Sequence, residues 1–139
     1  MPDSPRTEAT TAVPPTIAAW HDLVADPEPD ALRAMLSPRV RFCSPAVHTP
    51  QEGPEITFAY LWAAVHVLGP TLRYQHEWYD DRSAVLRFTA RVDGLDVEGV
   101  DLVEWDDDGL VTDFTVMVRP FKGLQALIGA MAARLSGTP

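Results

Sequence analysis

The chain has 139 residues, 46% of them hydrophobic and 22% charged, which suits one globular domain with enough length for a proper core. Its formal net charge of −9 repels nucleic-acid phosphates and anionic membranes, so neither is an expected partner. One cysteine, Cys43, excludes an intrachain disulfide and any zinc-type cysteine spacing, which fits a cytoplasmic location. The N-terminus lacks a basic segment followed by an apolar core, so no signal peptide is expected. The longest apolar stretch, Phe58 to Leu68, is too short to span a bilayer and is interrupted by His66.

Residues 1–13 are rich in Ser, Thr, Pro and Ala without hydrophobic period, and read as a disordered tail before a single domain at 14–136. Pro14-Pro15 and Thr16 introduce a first helix with Ile17, Trp20, Leu23 and Val24 on one face. "ADPEPD" stops it. A second helix opens at Asp30, with Leu32, Met35 and Leu36 on its apolar side, and ends before Pro38. In the strand that follows, Val40, Phe42 and Ser44 share one face, while Arg39, Arg41 and Cys43 share the other. Pro45 to Pro54 reads as a loop. Glu55 to Leu68 reads as a third helix, stopped by Gly69-Pro70.

Beyond that point the period changes from about 3.6 to 2. Leu72, Tyr74, His76 and Trp78 alternate with Arg73, Gln75 and Glu77; Asp80-Asp81 turns the chain; Ala84, Leu86, Phe88 and Ala90 alternate with Val85, Arg87, Thr89 and Arg91. Asp93-Gly94 is a strong hairpin signal. Val97 to Trp105 and Val111 to Arg119 are the last two strands, joined by an acidic turn at Asp106 to Gly109. The acids there, at Asp26 to Asp30 and at Asp80-Asp81 read as solvated turn charges. Lys122 to Leu135 is a final helix, its stripe of Leu124, Leu127, Ile128, Met131 and Leu135 explained by packing. Helices gathered before an antiparallel meander give an α+β fold: a cone-shaped curved antiparallel sheet with three helices from the N-terminal half packed over it, plus the C-terminal helix. The open end of such a cone is a natural small-molecule pocket.

Three segments in this order, "LRAMLSPRVRFCSP", "EGPEITFAYL" and "GVDLVEWDDDGLVTDFTVMVRP", resemble the nuclear transport factor 2-like superfamily, and its SnoaL-like branch in particular, over roughly Thr16 to Arg119. The superfamily includes isomerases, cyclases, epoxide hydrolases, dehydratases and non-catalytic binders, so the resemblance implies a fold before a function. Its ketosteroid isomerases use a carboxylate base, a tyrosine donor and a protonated aspartic acid kept neutral by an apolar site. By that resemblance Asp101 falls on the acidic donor, just before an acid-glycine hairpin, and Tyr60 on a supporting tyrosine of the third helix. The base position, before a proline, holds Ser44, and the principal tyrosine position holds Trp20. A serine hydroxyl cannot replace a carboxylate base, so a true ketosteroid isomerase is not expected.

Asp101 shares a strand face with Val97, Gly99, Val103 and Trp105, the other face carrying Glu98, Val100, Leu102 and Glu104. Alternation alone leaves its direction open; the resemblance points it inward, where desolvation raises a carboxyl pKa and suits it to acid, base or donor work. His76, alternating with Tyr74 and Trp78, is the expected second proton carrier. Trp20, Ser44, Tyr60, Tyr74, Leu86, Phe88 and Phe114 are expected to shape the pocket, with His48 in a loop at its mouth. Tyr60 and His66 lie too far apart around their helix to share one target, and Tyr60 is taken as the inward one.

Four histidines scattered over four elements, with no HxH, HxxxH or HExxH spacing, make a metal site a poor reading. No glycine-rich phosphate cradle is visible, and acid/base isomerisation or cyclisation needs no cofactor. The epoxide-hydrolase arrangement needs an Asp-Arg-Asp set, and no second inward aspartate or inward arginine is apparent. The leading expectation is a cofactor-independent acid/base enzyme of isomerase or cyclase type acting on a small, apolar, cyclic molecule; the alternative is a non-catalytic binder of such a ligand. Arg87, Arg119, Val100, Leu102 and Met117 fall on the outer sheet face, through which a homodimer is expected.

Overall fold

The computed structural model describes residues 12–136; most of the expected tail lies outside the described residues. The elements run α1 (Pro15–Ala25), α2 (Pro29–Met35), β1 (Leu36–Cys43), β2 (Gln51–Glu52), α3 (Pro54–Leu68), β3 (Arg73–Tyr79), β4 (Ser83–Val92), β5 (Leu95–Trp105), β6 (Val111–Arg119) and α4 (Phe121–Leu135). Each of α1, α2 and α3 begins on a proline, where the missing N–H has no intrahelical partner to lose.

Six strands form one open, curved sheet in the order β2-β1-β6-β5-β4-β3. The α+β cone expected from the sequence is the fold observed. Its sheet is mixed rather than wholly antiparallel, because β1 returns from α2 to lie parallel to β6. The short strand β2, inside what reads as a loop, pairs antiparallel with the outer edge of β1. Helix α2 ends at Met35 and the strand begins at once with Leu36. Pro38 then falls in the irregular stretch between the paired residues Leu36 and Arg41, where its missing N–H breaks no ladder bond.

The meander follows the expected turns. Asp93 and Gly94 both take positive φ, 51° and 76°, as a two-residue hairpin requires. In the acidic turn, Asp106 Oδ1 accepts the N–H groups of Asp108 and Leu110 at 3.0 Å each, and Thr16 Oγ1 donates to the Gly109 carbonyl at 2.8 Å, tying α1 to the hairpin. Asp106 thereby closes the turn.

Side chains on the inner sheet face, with Ile17, Trp20, Leu23, Leu32, Leu61 and Leu127 from the helices, form the core. One strand departs from simple alternation. Tyr74 is opposite Phe88, but His76 is opposite Arg87, so β3 carries a bulge at Gln75. The extra residue reverses the parity of the strand. Tyr74, Glu77 and Tyr79 are turned toward the core side and His76 and Trp78 are exposed.

Candidate active site

Asp101 lies in the middle of β5, between Leu86 on β4 and Val116 on β6. The strand buries Val97, Gly99, Asp101, Val103 and Trp105 along one face, so the acid points inward and is only 5% exposed. Its Oδ2 accepts a hydrogen bond from the Tyr74 hydroxyl at 2.7 Å. The Tyr74 oxygen in turn accepts one from the Trp20 indole N–H, also at 2.7 Å. Oδ1 takes no hydrogen bond from the described residues and is not sealed from space, so it faces the cavity that Asp101 lines.

The packing that holds this chain of contacts comes from several elements. Trp20 leans on Phe114 with ring centroids 4.9 Å apart, and the Tyr74 ring meets Phe88 edge-on at 6.2 Å. Gly99 makes room for Phe88: a Cβ there would lie 2.7 Å from Phe88 Cζ and run into the Met117 carbonyl. On the α1 side, His21 Nε2 bonds Glu77 Oε2 at 2.7 Å, and Tyr79 donates to the other Glu77 oxygen. Consecutive residues of α1, Trp20 and His21, therefore anchor that helix to β3 at two points.

Electrostatics set Asp101 apart. Burial pushes its carboxyl from the ordinary 3.8 up to about 7, against the opposing pull of the Tyr74 hydrogen bond. Tyr74 is held well above the usual phenol range, first by burial and then by the negative charge of Asp101. Among the described residues no arginine, lysine or histidine lines the cavity, so none of them restores the carboxylate.

The cavity has a volume of about 240 Å³. Phe42, Ser44, Pro45 and Val47 from β1 and the following loop form one wall. Tyr60, Leu61, Ala64 and Val65 of α3 form another, with Phe114 and Val116 beneath. Tyr60 stacks on Phe42 at 5.3 Å, and its hydroxyl makes no hydrogen bond within the described residues. The fourth side is α4, which contributes Leu127, Ile128, Met131, Ala132 and Leu135. The stripe read from sequence as packing is thus also the wall that closes the chain's own chamber.

Of the residues singled out in the sequence, Asp101, Trp20, Ser44, Tyr60, Tyr74 and Phe114 meet at this cavity. Four do not. His76 is on the outer face, exposed and stacked on Trp78 at 4.2 Å, because the bulge at Gln75 reverses the strand before it. Leu86 and Phe88 are fully buried in the core beside the cavity, Phe88 acting as a backing for Tyr74. His48 is exposed and borders a surface depression beside Cys43 and Thr115. His66 bonds the Trp62 carbonyl within α3, away from the site. The sequence reading missed the Trp20–Tyr74–Asp101 connection and the inward Glu77. Its one available signal was parity: Tyr74 and Tyr79, five apart, can both face the core only if a bulge lies between them. Among the described residues no group of three His, Cys, Asp or Glu side chains is placed to hold a metal ion.

A steroid delta-isomerase from Pseudomonas aeruginosa is 38% identical with a TM-score of 0.82, the match covering 88% of this chain and 90% of that one. An uncharacterised protein with a cystatin-like fold from Silicibacter pomeroyi DSS-3 is 33% identical with a TM-score of 0.82, over 89% of this chain and 87% of that one. A protein provisionally designated a SnoaL-like polyketide cyclase, from Jannaschia sp. CCS1, matches at 18% identity and a TM-score of 0.62 over 88% and 97% of the two chains, a likeness of fold. No protein-family model and no curated protein matches the sequence. The chain belongs to the nuclear transport factor 2-like superfamily, and it shares its fold with the SnoaL-like protein. No helix among the described residues is long and apolar enough to cross a membrane.

Proposed function

We propose that the protein is a cofactor-independent isomerase that moves a proton within a small, apolar, cyclic carbonyl compound. The observation that carries this reading is one carboxyl group, Asp101, poised near neutrality with a free oxygen facing an apolar cavity. In the ionised form, Asp101 Oδ1 removes a proton from a carbon beside the substrate carbonyl. The C–H electron pair moves into the carbon framework and the carbonyl oxygen becomes an enolate. The unspent hydroxyl of Tyr60 is the donor for that oxygen. The proton on Oδ1 then returns to a second carbon, and the carbonyl re-forms. One group takes and gives the same proton, so nothing is consumed and no second acid is needed. A wall without a cation among the described residues disfavours carboxylate or phosphate substrates.

The likeness to a protein named steroid delta-isomerase supports chemistry of this type. The assignment of parts differs from that of the ketosteroid isomerases in one respect. Ser44 occupies the position of their carboxylate base, and its hydroxyl accepts the Ala46 N–H at 2.8 Å, so Asp101 supplies the carboxylate. The same serine favours a second reading, a non-catalytic carrier of the same class of ligand. The reading also includes a cytoplasmic location and a homodimer through the outer sheet face, where Trp78 and Met117 are 50% and 54% exposed.

The test is turnover of cyclic β,γ-unsaturated ketones by wild type, Asp101→Asn and Tyr60→Phe, with thermal shift run in parallel. Isomerisation whose kcat rises with pH through about 7, and which falls on the order of 10³-fold in Asp101→Asn with thermal stabilisation by ligand retained, is the expected result. Undiminished turnover in Asp101→Asn would remove Asp101 from the chemistry. Ligands that stabilise wild type and are never converted would establish the carrier.

A further inference from the structure

We infer that Trp20 is a positioning residue that acts through Tyr74 to keep the proton of Asp101 on Oδ1, the oxygen that faces the cavity. In the sequence both aromatics read as pocket wall. Their hydrogen bonds give them a more specific task, which rests on the isomerase reading only for its catalytic consequence.

The inference follows from the number of protons each group owns. An indole N–H donates and cannot accept. Trp20 Nε1, 2.7 Å from the Tyr74 oxygen, must therefore be the donor of that pair. A phenol has a single proton of its own. With the α1 side of the Tyr74 oxygen taken up by Trp20, that proton is directed to the other partner in range, Asp101 Oδ2 at 2.7 Å. Oδ2 is thereby an acceptor in both ionisation states of Asp101. A proton arriving at the carboxyl has only Oδ1 left, on the side of the bound molecule. Without the indole, a tyrosine hydroxyl serves equally well as acceptor, and the pair can reverse: Oδ2–H donates to Tyr74, and the proton is stored facing away from the cavity.

Among the described residues nothing around Asp101 competes for this polarity. The α3 and α4 walls bring no charged side chain to Asp101; Tyr60 is the one titratable group among them. On β3, Glu77 lies in the same cross-sheet row as Asp101, two strands away through Leu86, but its oxygens are taken by His21 of α1 and by Tyr79. Burial holds Trp20 in place at 5% exposure, against Phe114.

The test uses the protein without substrate, so its outcome is independent of whether the isomerase reading holds. The indole ¹H–¹⁵N resonance of Trp20, assigned with Trp20→Phe, is followed from pH 5 to 9 alongside the ¹³C signal of the Asp101 carboxyl, assigned with Asp101→Asn. The expected result is that the indole signal of wild type shifts with the same midpoint as the carboxyl, and that this shift disappears in Tyr74→Phe and in Asp101→Asn. The carboxyl midpoint is expected to move upward in Tyr74→Phe, which removes the one hydrogen bond that holds it down, and upward by a smaller amount in Trp20→Phe. An indole signal that stays still while Asp101 titrates would overturn the inference. A Trp20→Phe protein that folds and titrates like wild type would overturn it as well. Should Trp20→Phe fail to fold, the wild-type and Tyr74→Phe titrations decide, the indole being then assigned by exclusion from single substitutions at Trp62, Trp78 and Trp105.

Discussion

A buried acid without a cation is a cost that the fold bears at neutral pH. Burial pushes the Asp101 carboxyl from the ordinary 3.8 up to about 7. Between those values the native state holds more protons than the unfolded chain, so stability is fully present below the lower value and is lost as pH rises through the upper one. Asparagine keeps the shape and its carbonyl can still accept from Tyr74, but it cannot ionise. The stability of Asp101→Asn relative to wild type is therefore expected to grow by about 3–4 kcal/mol between pH 4 and pH 9, from the carboxyl moving from 3.8 to about 7 on folding. Urea unfolding of both proteins at several pH values measures it. A difference that stays constant with pH would mean that the carboxyl is solvated in the native state.

Two elements decide what Asp101 can reach. The bulge in β3 is the first. By admitting Gln75 it turns Tyr74 and Glu77 inward in the same strand and sends His76 out, so Asp101 faces the cavity without the histidine that regular alternation would place beside it. Helix α4 is the second. It lies against β5 and β6 closely enough that a Cβ on Gly123 would come 2.5 Å from Val97 Cγ1, and its Leu127 is buried. From that anchored start it lays Ile128, Met131 and Leu135 along the chamber. Met131→Trp, which puts a bulky ring where a flexible side chain lines a cavity of about 240 Å³, is expected to abolish ligand-induced thermal stabilisation while the free protein stays folded. Retained stabilisation by the same ligand would place binding elsewhere.

At the level of the whole molecule the two sheet faces have separate duties. The inner face forms the core and the chamber. The outer face holds an ion triad, with Glu98 between Arg87 at 2.6 Å and Arg119 at 2.9 Å, beside exposed Trp78 and Met117. Surface ion pairs of this kind add little stability, whereas half-exposed Trp and Met on a sheet suit a partner surface. Sedimentation of wild type is expected to give a dimer, and Trp78→Glu a folded monomer, because a charge at the centre of an apolar contact lacks a partner. A monomeric wild type at micromolar concentration would remove the dimer from the picture.

The sequence alone determined the order of the elements apart from β2, the Asp93-Gly94 hairpin and the cone, because hydrophobic period, proline and glycine act over a few residues and each sends its own local signal. The inward direction of Asp101 was ambiguous from alternation and came from resemblance. What only the tertiary structure decided depends on contacts between distant segments. The parallel pairing of β1 with β6 joins residues about seventy apart in the chain, and Tyr74 and Asp101 are twenty-seven apart. A bulge leaves almost no mark on composition, yet one inserted residue reversed the faces of β3 beyond Gln75, turning Glu77 inward and His76 outward. The Trp20–Tyr74–Asp101 chain is invisible in the sequence for the same reason: three residues on a helix and two strands become a single hydrogen-bonded unit only when packing brings their polar ends to within 2.7 Å.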